Sequence, residues 1–176
     1  IGSAKVEDKI KALLREPNVR FAEPNAQHGS PEDSKNQAWA IGEPDAYRSQ
    51  WALSAIRLDE AQRRSKGEGM RIAVLDTGID TSHPAFAGRL LPGFDFVDYD
   101  NDPSEIGNPA NRGFGHGTHV AGLIALVAPA ARIIPVRVLD AEGIGNAWVL
   151  AEAMMYAIDP DGNPATDDGA HVINLS

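Results

Sequence analysis

The chain's apolar positions change pattern along its length. Between residues 5 and 15, Val6, Ile10, Leu13 and Leu14 recur at helical spacing, with Ser3 in place to cap them. An amphipathic helix is expected there, followed by a short extended segment over residues 18–22. From Gly69 onward, residues 70–75, 132–139 and 172–175 form short continuous apolar runs, the mark of strands buried on both faces. Residues 116–128 read as a helix of small side chains stopped by Pro129. Asn146 can cap a second helix in which Leu150, Met154, Ala157 and Ile158 share a face. Strands that alternate with helices, and that lack polar alternation, predict an α/β domain: a doubly wound parallel sheet covered on both sides.

Residues 25–50 are polar and irregular, the composition of a linker. Trp39, Tyr47, Trp51 and Ile56 punctuate this region and its sequel, and they are expected to anchor the segment across the main domain. Three parts follow: residues 1–27, too few to bury a core of their own, a connecting and leading segment at 28–66, and the main body at 67–176. The apolar strand at the far end would ordinarily lead on to further layers, and the first residues hold neither a Met nor a signal-peptide core. Both ends are expected to be cuts in a longer chain, so the fold is expected to be incomplete.

Composition removes several function classes. At 176 residues and 43% hydrophobic, the chain can build one real core. The absence of cysteine excludes a disulfide framework, a zinc ribbon and a catalytic thiol. A formal charge of −9 argues against nucleic acid as a partner, because phosphate binding needs concentrated Lys and Arg. No apolar run approaches the roughly 20 residues that a membrane span requires, so no membrane partner is expected.

Two motifs carry chemistry. In Arg71-Ile72-Ala73-Val74-Leu75-Asp76-Thr77-Gly78 a carboxylate directly follows a buried strand, and in open parallel sheets reactive groups gather at such carboxyl ends. Taken alone, Asp76 also fits an ordinary turn carboxylate. The second motif, Gly115-His116-Gly117-Thr118-His119-Val120-Ala121-Gly122, sets a glycine-flanked imidazole at the start of a helix. Paired, Asp76 would hold the Nδ1 proton of His116 while Nε2 faces a nucleophile, the arrangement of acyl transfer. A zinc site on His116 and His119 is not expected, since helical zinc pairs stand four residues apart and no third ligand is evident.

These motifs, with Val127-Ala128-Pro129, Val136-Arg137-Val138-Leu139 and Val172-Ile173-Asn174-Leu175-Ser176, resemble the subtilisin-like serine protease family from Trp51 onward. The resemblance implies a serine endopeptidase with polypeptide substrates, Asp76 as the triad aspartate and His116 as general base. It implies that Gly143, Ile144 and Gly145 form an edge on which an extended peptide pairs, with Ser176 opening the opposite wall, and that His119 points inward as a hydrogen-bonded core residue. Val19-Arg20-Phe21-Ala22-Glu23-Pro24-Asn25 resembles the end of the inhibitory propeptide that this family removes. Residues 1–27 would then be that propeptide's tail and a partner of the domain, with cleavage somewhere after Asn25 and export from the cell.

Departures from the family pattern are equally specific. Ala85 follows Thr81-Ser82-His83-Pro84 where many members place an acidic calcium ligand, and the His116 helix lacks their inserted loop, so that tight calcium site is expected to be absent. No catalytic metal or other cofactor is expected. Asp95, Asp98, Asp100 and Asp102 offer hard oxygens for weak calcium, while residues 159–163 lack the full EF-hand pattern. No serine here has the family's nucleophile context, so the 176 residues alone are expected to be inert. Three rivals remain: an aspartic protease built on Asp76-Thr77-Gly78, a nucleotide-binding α/β domain without its phosphate loop, and an inactive family member acting as a binding module.

Overall fold

The computed structural model describes residues 3–29 and 47–176. Helix α1 (Ser3–Leu13) and strand β1 (Gln27–Gly29) come first, and α2 (Trp51–Ala55) and α3 (Leu58–Gln62) precede the main body. That body runs β2 (Arg71–Asp76), a 3-10 turn (Pro84–Phe86), β3 (Phe94–Asp95), α4 (His116–Val127), β4 (Arg132–Arg137), β5 (Ile144–Asn146), α5 (Ala147–Ile158) and β6 (Val172–Leu175). Strands β3, β4, β2 and β6 lie in that order in one parallel sheet.

Successive strand residues point to opposite faces, and the core divides accordingly. Ala73, Leu75, Ile134 and Val136 meet Ala153 and Ala157 of α5. Val74 and Ile133 meet Ala121 and Ala125 of α4 on the other side. Burying an Ile or Leu side chain at such a position contributes roughly 1.5–3 kcal/mol. The alanines let each helix lie close to the sheet. A helix on each face is the doubly wound arrangement expected from the alternating apolar runs. Phe94, Phe96, Tyr99 and Tyr156 extend the α5 face as a ring cluster, with Phe94 and Phe96 4.7 Å apart at their centroids.

The elements before the sheet depart from the sequence pattern. Ser3 opens α1 as a helical residue and does not precede it as a cap. Residues 18–22 form no strand, and the paired segment comes later, at β1. Tyr47 does anchor the leading segment, donating its hydroxyl to the Gly122 carbonyl at 2.5 Å. Gln62 Nε2 adds bonds of 2.9 Å to the Leu126 and Val127 carbonyls at the end of α4, where helical carbonyls lack internal partners. Trp51 and Ile56 are not anchors, being 82% and 57% exposed; Trp39 lies outside the described residues.

Candidate active site

Strand β2 delivers Asp76 to the carboxyl edge of the sheet, and α4 begins with His116 beside it. Both side chains are buried, at 0% and 2% exposure. His116 Nδ1 stands 2.7 Å from Asp76 Oδ1. That oxygen also accepts the Thr77 amide at 2.7 Å, so it faces donors on both sides and the imidazole hydrogen belongs on Nδ1. Asp76 Oδ2 is buried without a hydrogen bond among the described residues, which leaves His116 as the principal group answering its charge. The Asp76 carbonyl accepts from Val138 and Leu139 at 2.8 and 3.1 Å, pinning the strand end to its neighbour.

The approach of α4 to β2 requires a missing side chain. A Cβ on Gly117 would stand 2.1 Å from the Gly78 carbonyl oxygen and 3.1 Å from Asp76 Oδ1, so the glycine after His116 is what admits the Asp–His contact. The Gly117 amide donates to Thr77 Oγ1 at 3.1 Å. Thr77 Oγ1 in turn donates to Glu105 Oε1 at 3.1 Å, Thr118 Oγ1 donates to Glu105 Oε2 at 2.7 Å, and the Gly115 amide also reaches Glu105 Oε1. Burial, opposed by these three hydrogen bonds and assisted by the Asp76 charge, raises the Glu105 pKa above its ordinary 4.5. Sequence reasoning passed over Glu105, which sits in an irregular loop with no periodic neighbour.

His119 is a correction. It is exposed on α4, not in the core, because the sheet-facing line belongs to Ala121 and Ala125. Two residues before Ala121 lies roughly 200° around a helix from it.

Gly143, Ile144 and Gly145 lie beyond β4, while Ser176 follows β6; in strand order they flank Asp76 on opposite sides. The Gly143 turn is tied down by the Asp140 side chain, which accepts the Glu142 and Ile144 amides at 2.9 Å. The Gly113 amide just before His116 donates to the Ala141 carbonyl at 2.9 Å. Strand β5 is paired: β1 runs antiparallel to it, with Gln27 opposite Asn146, His28 opposite Gly145 and Gly29 opposite Ile144. A Cβ on Gly145 would meet the Val138 carbonyl at 2.6 Å, so a side chain at this position has no room against the end of β4. Ser176 Oγ donates to Asn174 Oδ1 at 2.8 Å.

The acidic loop at 95–102 is used internally. Asp95 Oδ2 and Asp98 Oδ2 pair with Arg137 at 2.5 and 2.6 Å, and Asp100 and Asp102 accept amides two residues on. A convergent acid group among the described residues lies elsewhere: Asp159, Asp161 and Asp168 each bring an oxygen within 4.8 Å of the others. Their loop knits itself together, Asp161 Oδ1 accepting the Asn163 amide and the Thr166 hydroxyl at 2.8 and 3.0 Å.

A buried Asp–His pair thus stands at the carboxyl edge of a doubly wound sheet, where open parallel sheets gather their reactive groups, beside an edge that already holds an extended segment. The chain belongs to the subtilase family, whose model matches residues 67–176. It is 38% identical over 185 residues to the thermophilic serine proteinase of Bacillus sp. (strain AK1), covering 97% of this chain and 40% of that one. It is 33% identical over 182 residues to the minor extracellular protease Vpr of Bacillus subtilis (strain 168), covering 96% of this chain and 21% of the relative. Among solved structures, a lanthipeptide protease matches with a TM-score of 0.59 at 26% identity, over 78% of this chain and 38% of that one. The chain therefore spans less than half the length of these proteins.

Proposed function

We propose that this chain is the Asp- and His-bearing part of a subtilisin-like serine endopeptidase, whose nucleophilic serine lies outside these 176 residues. The carrying observation is the 2.7 Å bond between buried His116 Nδ1 and Asp76 Oδ1. Asp76 fixes the imidazole tautomer and stabilises the imidazolium, and His116 Nε2 takes the serine proton and returns it to the leaving amine. No metal or other cofactor enters this chemistry. Polypeptides are the substrates: a chain running antiparallel along Gly143, Ile144 and Gly145 would enter as an added strand, with Ser176 on the far wall.

The pairing of β1 with β5 supports a second element of the reading. Residues 1–27 are the end of an inhibitory propeptide, residues 28–66 connect it to the domain and form the domain's leading segment, and the protein is made as an exported zymogen. A relative described as extracellular agrees with export. No helix among the described residues is long and apolar enough to cross a membrane.

The test uses the full-length protein after processing. A serine-directed acylating reagent should label and inactivate it, and His116→Ala and Asp76→Asn should each lower kcat by about 10⁴-fold or more. Undiminished peptidase activity in His116→Ala would sink the assignment. A folded, processed protein that cleaves no peptide and takes no label would make this a binding module.

A further inference from the structure

We propose that Glu105 is a positioning residue for the Asp76–His116 pair, acting through three hydrogen bonds that clamp the strand end to the helix start. The inference rests on the proteolytic reading above. Backbone pairing puts Glu105 in place: Ile79 N donates to the Pro103 carbonyl at 3.1 Å and Glu105 N to the Ile79 carbonyl at 3.3 Å. This lays the loop against Gly78, where a Cβ would stand 2.9 Å from the Glu105 backbone. The carboxylate then reaches both halves of the pair. On the strand side it accepts the hydroxyl of Thr77, the residue after Asp76. On the helix side it accepts the Gly115 amide and the Thr118 hydroxyl, from either side of His116.

The direction of these bonds is determined by the rest of the network. Thr77 Oγ1 already accepts the Gly117 amide, and Thr118 Oγ1 already accepts the Asp80 amide at 2.8 Å. With one lone pair taken by its amide and an ionised carboxylate, which can only accept, beside it, each hydroxyl gives its hydrogen to Glu105, and the amide of Gly115 is a donor by nature. All three partners give hydrogens, so the group they surround must only accept, which a carboxylate does and a carboxamide does not. Glutamine at this position, in either orientation, turns an NH₂ toward at least one donor. The clamp then loosens on the side that holds either Thr77 or Thr118, and the Asp76–His116 geometry loosens with it.

The full-length, processed enzyme carrying Glu105→Gln, Glu105→Ala, Thr118→Val or Glu105→Gln with Thr118→Val is compared with wild type, and kcat is expressed per active site titrated with an acylating reagent. Misplacement of about 1 Å costs on the order of 100-fold, so kcat should fall about 10- to 100-fold in Glu105→Gln and further in Glu105→Ala. KM should stay within about twofold, because no substrate contact is lost. The effects of Glu105→Gln and Thr118→Val should fall short of additive, since they break one network. A purely structural Glu105 would reduce the titratable fraction and the melting temperature while leaving kcat per site unchanged, and that result overturns the proposal. His116→Ala runs alongside: if it retains activity the proteolytic reading has failed, whereas an inactive His116→Ala beside an unaffected Glu105→Gln refutes the clamp alone.

Discussion

Glu105 carries a cost that its hydrogen bonds do not remove. Burial raises its pKa above 4.5, the Thr118, Gly115 and Thr77 bonds pull the other way, and the Asp76 charge adds to the rise. An acid with a folded pKa above its unfolded one holds its proton more tightly in the native state. Folding stability then falls as pH rises from the unfolded value through the folded one. Glutamine does not titrate, so denaturant unfolding of wild type and Glu105→Gln, both with the reactive serine acylated, should diverge upward from about pH 4.5. Wild type should lose stability relative to the variant; parallel curves would mean that the site does not oppose the charge. At this scale the sequence was partly legible. Asp76 and His116 stood out because a buried strand and a glycine-flanked helix start announce themselves locally. Glu105 did not, because its value comes from Thr77, Gly115 and Thr118, at separations that follow no period. His119 was misplaced because a motif resemblance, not the helix's own rotation, was used to point it inward.

Among the elements, the ends of β4 and β3 share a buried charge pair. Arg137 ends β4 opposite Asp76 and is only 3% exposed, and Asp95 is 1% exposed. Asp95 Oδ1 accepts the Val97 and Asp98 amides at 2.7 and 3.0 Å while Oδ2 meets the guanidinium. Truncating one member of a buried pair leaves the other charge uncompensated, at about 3–5 kcal/mol. Asp95→Ala should therefore lower the urea midpoint by an amount equivalent to several kcal/mol, while Asp98→Ala, which removes a side chain that is itself half-exposed at 54%, should cost far less. Equal effects would show that Arg137 leans on the outer carboxylate. The apolar runs foretold β2 and β4 because both strands are buried on both faces; β6 forms where its run predicted, but Val172 and Leu175 at its ends are exposed, so it is not the doubly buried strand expected. They did not foretell β1, whose Gln27, His28 and Gly29 are all exposed. Its strand conformation comes from a partner more than a hundred residues away, and no local pattern records that.

For the whole molecule, the contact between its first residues and β5 is held by more than strand pairing. A helix leaves its first amides without internal partners, and in α5 three of them are met in sequence. The Ala147 amide donates to the Ala26 carbonyl at 2.9 Å, the Trp148 amide to Asn25 Oδ1 at 3.0 Å, and the Val149 amide to the capping Asn146 side chain at 3.1 Å. Asn25 Nδ2 also donates to Asn146 Oδ1 at 3.0 Å. Asn25 thus reads the helix start with both ends of its amide, and it sets which residues of the following segment face Gly145 and Ile144. If residues 1–27 are the inhibitory tail proposed above, a synthetic peptide of residues 1–29 should inhibit the processed full-length enzyme. The Asn25→Ala peptide loses two hydrogen bonds, each contributing about 0.5–1.5 kcal/mol, so its inhibition constant should rise roughly tenfold. His28→Ala, on a side chain for which the strand ladder has no use, should change it little. Equal inhibition by the Asn25→Ala and unaltered peptides would leave the backbone ladder alone to set the register. The reverse ranking of the two variants would place recognition in the side chain of His28 and move the specificity of this edge to the residue facing Gly145.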